Sequence, residues 1–228
     1  MKNLTTENFV INYQADLADF VQDSLAMFAD KKPLITSLFG EKIDKKIKAS
    51  FFTKRDDFVE YVKSVANGCT PPTWASGCFY NQEIQVLVNI NNQNNLTRQK
   101  HTLTHEFVHL CFNELIYDKY AISRIRWLDE SFANYLDGHA ATRSQDQLKA
   151  IAHELKKLGK FNVNVLNDRS KVKTETYNGY DMFLIIGKYI FANDLAEKYL
   201  NELKTDPTAI LNIGESILGT ALEYVENL

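Results

Sequence analysis

The chain has 228 residues, enough for one large domain that buries a hydrophobic core without disulfide bridges. With 45% hydrophobic and 24% charged residues, its composition is that of a globular protein and excludes disorder for most of the chain. The net charge of −3 gives no support for a nucleic-acid partner, because domains that bind nucleic acids are usually basic.

Signals for membranes and for secretion are weak in this sequence. No window approaches the ~20 apolar residues that a membrane-spanning helix needs, so we expect no membrane partner. The N-terminus has no apolar segment of the secretory type, and an odd number of cysteines is more typical of thiols than of a disulfide framework. We therefore expect a cytoplasmic protein. Secretion with a Cys69–Cys78 bridge stays open, since a removed signal leaves no trace.

The first half of the chain predicts a mixture of helices and strands. Hydrophobic residues at spacings of three and four predict a helix over residues 7–29. Further along, the pattern predicts a strand at 47–53, a helix at 56–65, and two strands at 77–80 and 84–88 joined by a turn at Asn81-Gln82-Glu83.

After residue 96 the pattern is helical. It predicts helices over residues 97–117, 127–141, 145–158, 177–203 and 207–226. Pro207 suits the first position of the last helix. The predicted fold class is therefore α+β. A single domain, 1–228, would have a small mixed sheet in an N-terminal lobe, 1–96, and a mainly helical lobe, 97–228.

The sequence His105-Glu106-Phe107-Val108-His109 lies in the first of these C-terminal helices. Four helical residues turn through about 400°, so the two imidazoles share one face and can bind a tetrahedral Zn²⁺. Glu106 follows the first histidine and can act as a general base on a water at the metal. A helix that carries two histidines by chance would lack a third ligand, so the third ligand decides between these interpretations.

Glu130 is the candidate third ligand, near the start of the next predicted helix. Two histidines and one glutamate with an open fourth position are typical of catalytic zinc sites. Glu130 also suits the first turn of a helix, where a negative charge is favoured, and the two roles are compatible. The sequence thus predicts one Zn²⁺ per chain, bound by His105, His109 and Glu130.

This pattern resembles the gluzincin zinc metallopeptidases. His105-Glu106-x-x-His109 followed by Trp127-Leu128-Asp129-Glu130-Ser131-Phe132-Ala133-Asn134-Tyr135 is similar to the aminopeptidases related to leukotriene A4 hydrolase and to small bacterial peptidase MA-like proteins. Ser131 stands where these families usually have glycine. The likeness covers residues 101–137, is weaker as far as residue 190, and does not extend to the first hundred residues. It implies a thermolysin-like catalytic domain, with the zinc site between the two lobes, that cleaves a peptide or protein substrate.

The resemblance also implies residues around the metal. A tyrosine at the start of a later helix would stabilise the oxyanion; Tyr177 is preferred over Tyr180, and both also suit ordinary packing. Gly77-Cys78-Phe79 would be an edge strand that pairs with the substrate backbone, although a plain strand explains it equally well. Asn134 would contact the outer nitrogen of the first histidine, or else lie on a solvated helix face.

The sequence therefore predicts a zinc-dependent metallopeptidase with Glu106 as the general base. Two alternatives stay open: a non-catalytic metal-binding domain that acts through a partner, and a zinc hydrolase of a non-peptide substrate. The intact Glu106 argues against the first of them. The sequence carries no signal that distinguishes endopeptidase from exopeptidase action or that sets an oligomeric state.

Overall fold

The computed structural model describes the backbone of all 228 residues and every side chain except those of Gln93, Asn94 and His139. Its contacts divide the chain into two units, Met1–Cys111 and Phe112–Leu228. A mixed sheet lies in the N-terminal half and helices in the C-terminal half, so the predicted α+β class is confirmed. The first unit contains the sheet and also the segment with His105 and His109, and it ends at Cys111. The sequence instead predicts a boundary between the two lobes at residue 96.

Among the described residues, five strands form the sheet of the first unit, in the order β1-β2-β3-β5-β4. Strands β1 to β5 are Lys2–Thr5, Phe9–Tyr13, Ile47–Phe52, Gly77–Tyr80 and Glu83–Leu87. The pairs β2–β3 and β3–β5 are parallel, and β1–β2 and β4–β5 are antiparallel. The β4–β5 turn places Asn81 and Gln82 at φ of 48° and 62°, as a two-residue hairpin turn of type I′ requires.

Helices cover both faces of this sheet. Helices α1 to α4 are Ala18–Phe39, Arg55–Val65, Gln93–Gln99 and Thr102–Phe112. The rings of Phe28 in α1 and Phe107 in α4 lie 4.8 Å apart, and both pack edge-on against Phe9 of β2. On the opposite face, Phe58 of α2 packs against Phe52 of β3. The buried aromatic rings therefore fix α1 and α4 to the same face of the sheet.

The second unit is built around helix α8. Its α-helices, α5 to α11, are Asp118–Tyr120, Arg126–Leu136, Gln145–Lys156, Gly179–Ala192, Ala196–Thr205, Pro207–Gly214 and Ile217–Glu226. A π-helical turn, Asn113–Tyr117, precedes α5. Helix α8 packs against α6, α7 and α11. Gly187 and Phe191 of α8 contact Ser131 and Tyr135 of α6.

The predicted helix over 7–29 is wrong in its first half. Residues Phe9–Tyr13 form strand β2, and the helix runs from Ala18 to Phe39. Phe9 and Ile11 are fully buried and alternate with less buried neighbours, which is the two-residue period of a strand. When the strand and the helix are read together, the larger hydrophobic residues have helical spacing, so the two-residue period is not evident from the sequence.

Three predicted C-terminal helices are each divided. The segments 97–117, 177–203 and 207–226 contain α3 and α4, α8 and α9, and α10 and α11. Asp194, at a φ of 55°, interrupts the second of them. Helix α6 ends at Leu136, short of the predicted 141, and Gly138 follows at a φ of 86°. Pro207 does begin α10, and Asp206 caps it by accepting from the Thr208 and Ala209 N–H groups.

The strands predicted at 47–53, 77–80 and 84–88 and the helix at 56–65 agree with the structure to within one residue. Cys69, Cys78 and Cys111 all lie in the described part of the chain and are thiols, so the Cys69–Cys78 bridge is not formed. Within that same part of the chain, no helix combines the length and the apolar character that crossing a membrane requires.

Gly187→Ala should lower the free energy of unfolding, because a Cβ at this position would overlap the carbonyl oxygen of Ser131. We expect a loss of about 1–3 kcal/mol, as for other overpacked cores, in urea unfolding followed by circular dichroism. Gly219→Ala is the matched control, since a Cβ there meets no atom within 4 Å on helix α11. That variant should gain up to about 1 kcal/mol. Equal stability of the two variants would contradict the described α6–α8 packing.

Candidate metal centre

Helix α4 carries His105, Glu106 and His109, and the burial of Phe107 determines which way each of them points. Successive residues of an α-helix are about 100° apart, so both histidines lie within about 20° of the direction opposite Phe107. Because Phe107 is buried against Phe9, the two histidines lie on the face of α4 turned away from that contact.

The two imidazoles have the spacing of ligands to one metal ion. The Nε2 atoms of His105 and His109 are 3.2 Å apart, and their rings are inclined at 83°. Two nitrogens bound to a tetrahedral Zn²⁺ at about 2.0–2.1 Å would lie about 3.3–3.4 Å apart. The same separation also allows a hydrogen bond between the rings, so the fit to a metal depends on a third group.

Glu130 supplies this third group. The ligand atoms of His105, His109 and Glu130 all lie within 4.8 Å of one another. Two imidazole nitrogens and one carboxylate oxygen form a donor set that suits zinc. The structure therefore brings together the three residues that the sequence predicts as ligands, in an arrangement that could hold a metal ion.

Glu130 is buried near the start of α6, and two arginines approach its carboxylate. Arg124 Nη2 and Arg126 Nη1 lie 3.6 and 3.5 Å from Glu130 Oε1. Arg124 is itself held by Asp129, with Nε–Oδ2 and Nη2–Oδ1 distances of 2.5 and 2.9 Å. These positive charges favour the ionised form of Glu130, which is the form that binds metals.

Tyr117 completes this ionic cluster. Its hydroxyl lies 3.4 Å from Asp129 Oδ2. Burial, and then the Asp129 charge, raise the pKa of Tyr117 well above its usual range, so the phenol stays neutral and donates to the carboxylate. Burial and the neighbouring Arg124 lower the pKa of Arg126, although an arginine remains charged in proteins.

The sequence interpretation missed Tyr117 and both arginines. Only Arg126 left a signal, because it precedes Glu130 by four residues, the spacing of an ion pair on a helix.

Glu106 and the edge strand β4 are in close contact. A Cβ at Gly77 would overlap Glu106 Oε1 and would lie 2.5 Å from Thr102 Cγ2. A side chain at this position would therefore displace Glu106 or Thr102 from its place on α4. Glu106 is 7% exposed, so its carboxylate is largely enclosed. The glycine that the sequence assigns to substrate binding also gives space to the candidate general base.

The backbone N–H and C=O groups of β4 point alternately towards β5 and towards the open edge of the sheet. Leu87 N–H donates to Ser76 C=O at 2.8 Å, which sets the hydrogen-bonded pairs of the antiparallel β4–β5 ladder. The alternation that follows turns the N–H and C=O groups of Gly77 and Phe79 towards the open edge of the sheet, and those of Cys78 towards β5. The Cys78 side chain lies in the core beneath α2. Pairing with an added strand would therefore use Gly77 and Phe79.

The two candidate tyrosines lie at the start of α8. Tyr177 precedes this helix by two residues, and its ring centroid is 5.0 Å from that of Phe161. Tyr180 is in the first turn, with its ring centroid 5.6 Å from that of Phe183. Both rings take part in packing, and the assignment of either hydroxyl to an oxyanion stays a prediction.

Asn134 is buried rather than on a solvated helix face, so that alternative is wrong. Its Nδ2 donates to the Glu130 carbonyl oxygen at 2.8 Å, and the residue is 6% exposed. This bond holds the amide beside the backbone of α6, one turn after the third candidate ligand. The predicted contact between Asn134 and a histidine stays a prediction.

Comparison with known protein families, with curated proteins and with solved structures finds no match for this chain.

The purified chain should bind about one Zn²⁺, and Glu130→Gln should weaken this binding by more than about 100-fold. Loss of a ligand should cost more than the 10–100-fold that is typical for loss of a residue that only orients a ligand. Competition with a chromophoric chelator measures the affinity. Zinc should also dissociate as the pH falls, because both imidazoles must be neutral to bind it.

Glu154→Gln is the matched control for this measurement. Glu154 is exposed on α7 and pairs with Lys157, so its variant should bind zinc like the wild type. If Glu130→Gln bound zinc as tightly as the wild type, Glu130 would not be a ligand. A wild-type chain that took up no zinc would rule out the metal centre altogether.

Proposed function

We propose that this protein is a zinc-dependent hydrolase of gluzincin type that cleaves peptide bonds. The observation that carries this proposal is the clustering of the His105, His109 and Glu130 ligand atoms within 4.8 Å, with Glu106 next to the first histidine. A zinc ion bound by these residues would polarise a substrate carbonyl and lower the pKa of a bound water towards about 7.

Glu106 is the general base of this proposal. It is offset by about 100° from His105 around α4, so it is not aligned with the two ligands and lies beside β4 instead. Its carboxylate accepts a proton from the attacking water and passes it to the leaving amine nitrogen. One carboxylate thereby carries one proton between the two steps of hydrolysis.

The substrate of this proposal is a peptide in extended conformation. Gly77 and Phe79 direct their N–H and C=O groups to the open edge of the sheet, where a peptide backbone could add as a further strand. Because Gly77 contacts Glu106, a peptide on this edge would pass close to the base. The open edge favours a peptide over a small non-peptide substrate, and Glu106 beside the histidines favours a catalytic role over a purely structural one.

The three thiols suit a reducing compartment, so we also propose that the protein is cytoplasmic.

Glu106→Gln should leave zinc content and fold unchanged and abolish peptide hydrolysis. The side chain is a proposed base rather than a ligand, and losing such a group typically costs about 10²–10⁴-fold in rate. Digestion of a peptide library, followed by mass spectrometry with and without chelator, identifies a cleaved peptide for rate measurement. Full turnover by Glu106→Gln, beside an unaffected Glu154→Gln control, would overturn the mechanism.

Tyr177→Phe should lower kcat by about 10²–10³-fold with little change in KM, because the hydroxyl would act mainly on the transition state. Zinc content and thermal stability should not change. Tyr180→Phe is the control and should be near wild type. A large loss of activity in Tyr180→Phe alone would assign oxyanion stabilisation to Tyr180 instead of Tyr177. Full activity in both variants would show that neither tyrosine stabilises the oxyanion.

A further inference from the structure

A cavity of about 580 Å³ lies within the second unit, between the segment that precedes α6 and the junction of α9 and α10. Residues Ala121–Ile125 line one side, and Lys204, Pro207 and Leu211 line the other. Small-molecule sites usually measure about 300–1,000 Å³, so this cavity is large enough for a metabolite-sized ligand.

The charge of the cavity lining is positive. Lys204 and Arg124 contribute side chains, and none of the described lining residues is acidic. Arg124 is already balanced by Asp129 and Glu130, whereas no ion pair among the described residues includes Lys204. Asp206, next to the lining, accepts from the first N–H groups of α10 instead. Lys204, a half-buried residue, therefore carries the charge that a ligand would neutralise.

The uncharged part of the lining is divided between polar and apolar groups. Asn167 adds a polar residue to the lining. Ile122, Ile125 and Leu211 provide an apolar wall, and Leu211 remains 38% exposed. A ligand that fits this lining has one anionic end and an apolar body.

The backbone beside the cavity is strained. Ala121 has a φ of 52°, in the left-handed region that residues with a Cβ rarely adopt. It follows the π-helical turn Asn113–Tyr117 and the short helix α5. Strained residues and π-helical turns persist where the surroundings fix them, and both are frequent at functional sites.

We propose that this cavity binds a small organic carboxylate, whose charge pairs with Lys204 and whose apolar body lies against Ile122, Ile125 and Leu211. The proposal goes beyond the hydrolase function, because it concerns a different set of residues and does not require a bound metal. The carboxylate could belong to a free acid or to the C-terminus of a peptide, and the probes below distinguish these two sources.

The test is an NMR titration of the ¹⁵N-labelled full chain with phenylacetate and with N-acetyl-leucine, each against its uncharged amide. We expect saturable shifts at the Ser123, Asn167 and Leu211 amide signals. Each acid should bind at least about tenfold more tightly than its amide. Tighter binding of phenylacetate assigns the cavity to free acids, and tighter binding of N-acetyl-leucine assigns it to a peptide C-terminus.

Lys204→Met should weaken the binding of either acid at least about tenfold, at unchanged thermal stability. Lys198→Met is the matched control, because Lys198 lies on the same helix, is exposed and pairs with Glu202. Equal affinities for acid and amide, unchanged binding by Lys204→Met, or no saturable shift with either acid up to about 10 mM would overturn the proposal. All these measurements are made with and without zinc. Because the cavity does not require a metal, binding of the acids is tested independently of the hydrolase proposal.

Discussion

The burial of Phe107 fixes the rotation of α4, and the candidate metal centre depends on this one contact. Phe107 packs against Phe9 and Phe28, which hold the helix against the sheet at a single angle about its axis. A rotation by one residue, about 100°, would turn one histidine towards the sheet and Glu106 away from β4. The hydrophobic core and the chemistry of this helix are thus set by the same side chain.

Two glycines allow close packing, one in each unit. Gly77 brings β4 against Glu106, and Gly187 brings α8 against the backbone of Ser131. In each case a single methyl group would occupy the space of an oxygen atom. The side chain of Ser131 stays against its own helix. Its Oγ bonds to the Trp127 carbonyl oxygen at 2.6 Å, and the close approach is made from the other side by Gly187.

The sequence predicts the parts of the site that follow from local geometry. His105 and His109 share a face because any helix aligns residues four apart, and Pro207 begins α10 because its φ suits a first turn. The sequence does not predict the strand at 9–13. Its hydrophobic residues and those of the following helix together have helical spacing, which hides the two-residue period of the strand. The close approach of Glu106 to Gly77 depends on packing between distant segments, which spacing along the chain does not encode. The contact of Arg124 with Glu130 depends on the path of the turn before α6, which helical spacing does not predict.

The charges around Glu130 fit a metal ligand, and they fit equally well a buried ion pair that only stabilises the fold. A buried carboxylate tends to take up a proton, and here Arg124 and Arg126 favour its ionised form. A carboxylate at an exposed helix N-terminus stays charged through contact with water, whereas Glu130 is 4% exposed and depends on the two arginines. Arg124 is held by Asp129 and also lines the cavity that contains Lys204. A carboxylate bound in that cavity would pair with Lys204, because the guanidinium of Arg124 already pairs with Asp129 and Glu130.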